Sequence, residues 1–128
     1  MNRQQRNAHR IVWFEIPVQS MDRAVDFYEH LTGRPLRRES IGTTNMAVFD
    51  YTEGGVSGAL LQSPGIHSTT GGVMVYLNVD ESGLDAALAR TEAKGGRVAA
   101  LPVQLPGDMG RFAHIRDSEG NLVGLHEV

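Results

Sequence analysis

An internal repetition restricts the fold of this chain more than any other feature. Residues 11–33, IVWFEIPVQSMDRAVDFYEHLTG, and residues 71–96, GGVMVYLNVDESGLDAALARTEAKGG, follow one plan. Each opens with about eight mostly apolar residues rich in β-branched and aromatic types, passes through a short polar hinge, and continues with apolar residues at helical spacing up to a glycine. A strand feeding a helix, used twice, predicts a duplicated architecture.

The segments between complete two matching modules. Residues 11–18 carry apolar side chains on both parities with Glu15 in the middle, as in a strand covered on both faces apart from one polar position. Ser20 is placed to cap a helix whose apolar side is Ala24, Val25, Phe27, Tyr28 and Leu31, and which stops at Thr32-Gly33. Strands are predicted at residues 36–41, 45–51 and 56–62, separated by the turn-like Gly42-Thr43-Thr44 and Glu53-Gly54-Gly55. The second module repeats the order: a strand at 73–79, a helix carrying Leu84, Ala87, Leu88 and Ala93 and closed by Gly95-Gly96, then strands at 97–103, 111–116 and 122–128. The plan is β-α-β-β-β, twice. Modules 11–62 and 73–128 are joined by the polar connector 63–72, read as a flap or crossover, and residues 1–10 read as a flexible arm. In a chain of 128 residues neither module can bury a good core alone, which predicts one α+β domain over 11–128.

Composition removes several functions. Cysteine is absent, so disulfides, thiolate metal sites and cysteine nucleophiles are excluded together. There are 12 basic and 15 acidic residues with no long block of either sign, and the densest basic cluster, Arg34, Arg37 and Arg38, is interrupted by Pro35 and Leu36. Nucleic acid is therefore not an expected partner, since binding it needs a concentrated basic surface. No apolar run approaches a bilayer span and none of secretory type follows the start, so no membrane partner is expected and cytoplasmic residence is the default.

Three motifs then stand in a recognisable order: VQSMDRAVDFYEHLTG at 18–33, YLNVD at 76–80 before DAALARTEAKGG, and DSEGNLVGLH at 117–126. Together they resemble the vicinal oxygen chelate superfamily, which includes glyoxalase I, bleomycin-resistance and fosfomycin-resistance proteins and extradiol dioxygenases. The chain is most similar to the small, single-domain, glyoxalase-like subgroup. The resemblance implies two βαβββ modules packed into a cupped, partly open barrel-like sheet around a cavity, a small-molecule ligand held there, and a homodimer. Family enzymes commonly hold a divalent metal there with His, Glu or Gln from the first and last strand of each half. Carried onto this sequence, those positions fall on Trp13, Met74, Gly124 and, without a sharp anchor, Gly58. None offers the oxygen or imidazole nitrogen such a cation needs, so neither metal nor cofactor is expected.

Candidate site residues follow from strand parity around those positions. Glu15 lies two residues past Trp13 and His126 two past Gly124, which turns both toward the implied cavity and makes them the candidate catalytic pair. Trp13, Glu15, Met74, Tyr76 and His114 are the candidate ligand-binding residues, with Gly58 and Gly124 leaving room beside them and the facing of His114 open. The plainer alternatives are an arginine-paired carboxylate at Glu15, half-exposed structural histidines, and a cavity closed by Trp13 and Met74 as core. His9, His30 and His67 are incidental, and the glycine pairs match neither a P-loop nor a dinucleotide pattern. Three functions remain: metal-free binding of a small organic molecule, a glyoxalase-type lyase or isomerase using a shifted site of Glu15, His114 or His126, and drug sequestration of bleomycin-resistance type. Aromatic residues at only 6% weigh against the last, which must stack a large planar ligand.

Overall fold

The computed structural model of the chain describes residues 3–63 and 71–128. In chain order the elements are α1 (Arg3–Asn7), β1 (Ile11–Pro17), α2 (Met21–Thr32), β2 (Arg37–Ile41), β3 (Thr44–Val48), β4 (Ser57–Gln62), β5 (Met74–Asn78), α3 (Leu84–Ala93), β6 (Arg97–Gln104), β7 (Arg111–Arg116) and β8 (Leu122–Glu127). The expected β-α-β-β-β order is observed twice. The chain forms two compact units, Trp13–Val73 and Met1–Val12 with Met74–Val128. The expected connector lies largely outside the described residues, His67 included.

In the unit Trp13–Val73 the strand order is β2-β3-β4-β1, with β1 parallel to β4 and the other pairs antiparallel. Helix α2 forms where its caps require. Ser20 has extended backbone angles and its Oγ accepts the Arg23 N–H, while Gly33 at φ 71° closes the other end. The helix buries Met21 and Val25 against Ala47 and Leu60, with Ile16, Val18, Tyr28 and Phe49 packed around them. Ile16 thus faces the helix, so by alternation Phe14 does too, and Trp13 and Glu15 turn to the helix-free face.

The other unit has the order β5-β8-β7-β6, with β5 parallel to β8. Helix α3 buries Leu84 and Leu88 on Ala113, Ile115 and Leu125, with Val79, Val98 and Val123 at the margin. Alternation therefore sends Met74, Tyr76, Phe112, His114, Gly124 and His126 to the helix-free face.

The start of the chain departs from the flexible arm read from the sequence. Residues Arg3–Asn7 form α1, and the Arg6 guanidinium grips Asp80 at 2.9 and 3.1 Å while its carbonyl accepts from Asn78 Nδ2 at 3.0 Å. This is a buried, bidentate pair between residues 74 apart in sequence, which no local pattern marks.

Candidate functional site

On β1 the Trp13 indole donates from Nε1 to Glu15 Oε2 at 3.1 Å. Glu15 is only 8% exposed, and the register sets it beside Ala59 of β4, itself fully buried. A buried carboxylate needs hydrogen-bond donors, and an indole N–H two residues back on the same face is one of them. So Trp13 acts on Glu15 as a polar partner as well as an aromatic wall.

In the other unit Tyr76 Oη and His114 Nε2 lie 2.8 Å apart, both groups 5% exposed. The facing of His114, open in the sequence, is resolved: it shares a face with Tyr76. Phe112 completes the cluster, its ring centroid 5.9 Å from that of Tyr76 and 5.4 Å from that of His114. Sequence reasoning passed over Phe112, although its place two residues before His114 in RFAHIR was the signal. A phenol joined to an imidazole among aromatic rings can present a hydroxyl to a ligand oxygen and relay a proton along the hydrogen bond.

His126 is placed differently. Its Nε2 is 2.6 Å from the Met109 carbonyl, which can only accept, so Nε2 carries the proton and Nδ1 is the bare nitrogen. That Nδ1 is buried without a hydrogen-bond partner among the described residues. Burial pushes the His126 pKa below its ordinary value, with a smaller contribution from the Arg6 charge and against the Met109 bond. The ring is thus a neutral anchor for the turn before β7. The structure brings together Trp13 with Glu15 and Tyr76 with His114, and ties His126 to Met109 instead.

Trp13, Met74 and Gly124 stand on helix-free faces, where the resemblance carries metal ligands. The fourth position needs correction. Gly58 pairs with Phe14 and shares its helix-side face, whereas Ala59 pairs with Glu15 as Gly124 pairs with Tyr76. The equivalent position is therefore Ala59, and it too lacks a donor. The space expected beside the glycines is also filled. A Cβ at Gly124 would stand 2.3 Å from Tyr76 Cδ2, and one at Gly58 2.5 Å from Phe14 Cγ. Each glycine is the seat of an aromatic ring from the neighbouring strand. Among the described residues there is no group of three or more His, Asp or Glu side chains able to hold a metal ion. A donor set of indole, thioether, methyl and hydrogen does not fit the divalent cation of family enzymes.

Two open hollows, of about 410 and 420 Å3, lie away from these residues: one is lined by Glu29, His30, Gly33, Arg34 and Pro35, the other by Gly95, Gly96, Arg97, Arg116, Asp117, Ser118 and Gly120. Among the described residues no helix is long and apolar enough to cross a membrane.

Comparison with known proteins agrees with the fold. The chain is similar to CFP32, provisionally named a glyoxylase, of Mycobacterium bovis and of Mycobacterium tuberculosis, at 31% identity over 116 residues that cover 90% of this chain and 42% of each relative. The chain therefore spans less than half the length of these curated relatives. Among solved structures it is similar to methylmalonyl-CoA epimerase from Mycobacterium tuberculosis, with TM-score 0.67 and 21% identity over 92% of this chain and 87% of that one. It is also similar to the Streptomyces coelicolor enzyme of that name, with TM-score 0.62 and 24% identity over 91% and 92% of the two chains. At these identities the likeness establishes the fold, an α+β architecture of glyoxalase type. The family model described as Glyoxalase/Bleomycin resistance protein/Dioxygenase superfamily matches residues 10–125, nearly the whole chain, and to that superfamily the chain belongs.

Proposed function

We propose that this protein binds a small organic molecule without a metal, with Trp13, Glu15, Met74, Tyr76 and His114 as its ligand-binding residues. The observation that carries this reading is the replacement of every mapped ligand position by Trp13, Met74, Ala59 and Gly124, set beside buried polar groups that pair with aromatic partners. Apolar side chains with a few hydrogen-bonding groups among them suit a compact, partly apolar compound bearing a hydroxyl or carbonyl oxygen. A homodimer belongs to the same proposal, on family resemblance. Elemental analysis of the purified protein tests it directly. Metal well below one equivalent is the expected result, and about one tightly held Zn, Ni, Mn or Fe per chain defeats the reading. Trp13 is the single tryptophan, so its fluorescence reports ligands from a panel of small vicinal-oxygen and aromatic compounds.

A second reading, a glyoxalase-type lyase or isomerase, is favoured by one observation, the 2.8 Å Tyr76–His114 contact. It requires turnover of a vicinal-oxygen substrate such as a 2-oxoaldehyde hemithioacetal, lost in Glu15→Gln. No turnover with several metals added removes it.

A further inference from the structure

We propose that the hollow between the end of α3 and the β7–β8 turn binds a phosphoryl group, held by Arg97 and Arg116. The two arginines are directly opposed across the antiparallel β6–β7 pair, and both line the hollow of about 420 Å3. Like charges directly opposite on a sheet repel, and an anion between them removes the penalty. Among the described residues neither guanidinium has a carboxylate at ion-pair distance, and Arg116 uses only Nη1, on the Gly120 carbonyl at 3.0 Å. The nearby acids are engaged in their own turn. Asp117 Oδ1 accepts from the Glu119 and Asn121 N–H groups at 2.9 Å each and Oδ2 from Asn121 Nδ2 at 3.1 Å, while Glu119 Oε2 accepts from Ser118 Oγ at 2.7 Å.

The matching hollow of the other unit shows what neutralisation looks like. Its Arg34 is bonded through Nε to Asp50 Oδ2 at 2.8 Å, and Glu29 stands in its wall. The Arg97–Arg116 hollow also has a carboxylate in its wall, Asp117, but it sets two cations against that one acid, and among the described residues neither guanidinium is ion-paired with it. Gly95 and Gly120 line it with nothing within 4 Å of where a side chain would begin, so an anion can approach the backbone there, whereas Gly96 is closed by the Arg116 carbonyl and Thr91. The carbonyl end of α3 works against a negative ligand, so the guanidiniums must supply the attraction. A carboxylate has two oxygens and satisfies one guanidinium fork. A phosphoryl group has three oxygens and up to two charges, enough for both forks at once. The site is distinct from the residues of the proposed function and stands or falls without them.

Titration of the 15N-labelled full chain at constant ionic strength tests this, with inorganic phosphate, glycerol phosphate and acetate as separate probes. Both phosphates are expected to move the amide signals of Gly95, Gly96, Ser118 and Gly120, and acetate to leave them in place. Tighter binding of glycerol phosphate than of inorganic phosphate identifies a phosphorylated metabolite as the source, and equal binding identifies free phosphate. Arg97→Gln is expected to weaken binding by about tenfold or more, Arg97→Lys to weaken it less, and Arg34→Gln to change nothing. Unmoved signals at these amides, equal shifts with acetate, or an Arg97→Gln protein that binds phosphate as before would overturn the proposal.

Discussion

Gly124 shows at residue scale what a side chain of zero size does here. The Tyr76 ring lies over it, held by the bond from Oη to His114 Nε2 and by the edge of Phe112. A methyl group at this point would meet ring carbons at 2.3 to 2.6 Å, closer than carbon atoms approach one another. Gly124→Ala must therefore swing the ring out and break the buried bond to His114. The expected cost is about 1–3 kcal/mol, read from the shift in urea midpoint. If the ring is the obstacle, Gly124→Ala made on a Tyr76→Ala background costs much less than alone, so the two changes are not additive. Additive costs would mean that something else fixes the glycine. The sequence shows Gly124 at a ligand position without a ligand, but it cannot show the ring, because Tyr76 reaches Gly124 only through the parallel β5–β8 register.

The two helices differ in how much of them the sequence reveals. For α2 every signal is local: Ser20 before the apolar stripe, Gly33 after it, both found where the pattern puts them. For α3 the stripe is legible and the start is not, because Gly83 at the N-cap has no side chain to offer. Glu127 supplies the cap from 43 residues away, its Oε1 accepting the Leu84 N–H at 2.6 Å while Oε2 takes Arg111 at 2.7 and 2.9 Å. The Leu84 bond first, and Arg111 after it, hold this carboxyl below its ordinary pKa. Glu127→Ala removes a helix cap, and the expected destabilisation is about 1 kcal/mol, with faster hydrogen exchange at the first-turn amides of α3. Unchanged exchange there would show that the cap is not what starts the helix. Contacts of this kind also hid α1, whose anchor Asp80 is more remote still, 74 residues from Arg6.

At the scale of the whole molecule the duplicated βαβββ plan was legible because each module repeats its own strand and helix periods, and the family followed from motif order. The site was less legible, since ring positions, the Ala59 register and the fate of His126 depend on pairing between strands far apart in sequence. His126 also contributes to how total stability responds to acid. Its folded pKa lies below its ordinary value, chiefly through burial, so the unfolded chain takes up a proton that the folded chain refuses. Above about pH 6.5 both forms are neutral and nothing changes; below it stability falls until the folded value is passed. The carboxyls of Asp50, Asp117 and Glu127 are likewise lowered, by Arg34, by Asn121 and by the Leu84 N–H respectively. Their contribution is complete above about pH 4 and is lost as pH falls through their folded values. Urea unfolding followed from about pH 8 to about pH 3 is therefore expected to show two declines. His126→Gln, whose amide can still donate to the Met109 carbonyl but does not titrate, is expected to abolish the upper decline and leave the lower one. Survival of the upper decline in that variant would place its origin in another group and remove the buried Nδ1 as its cause.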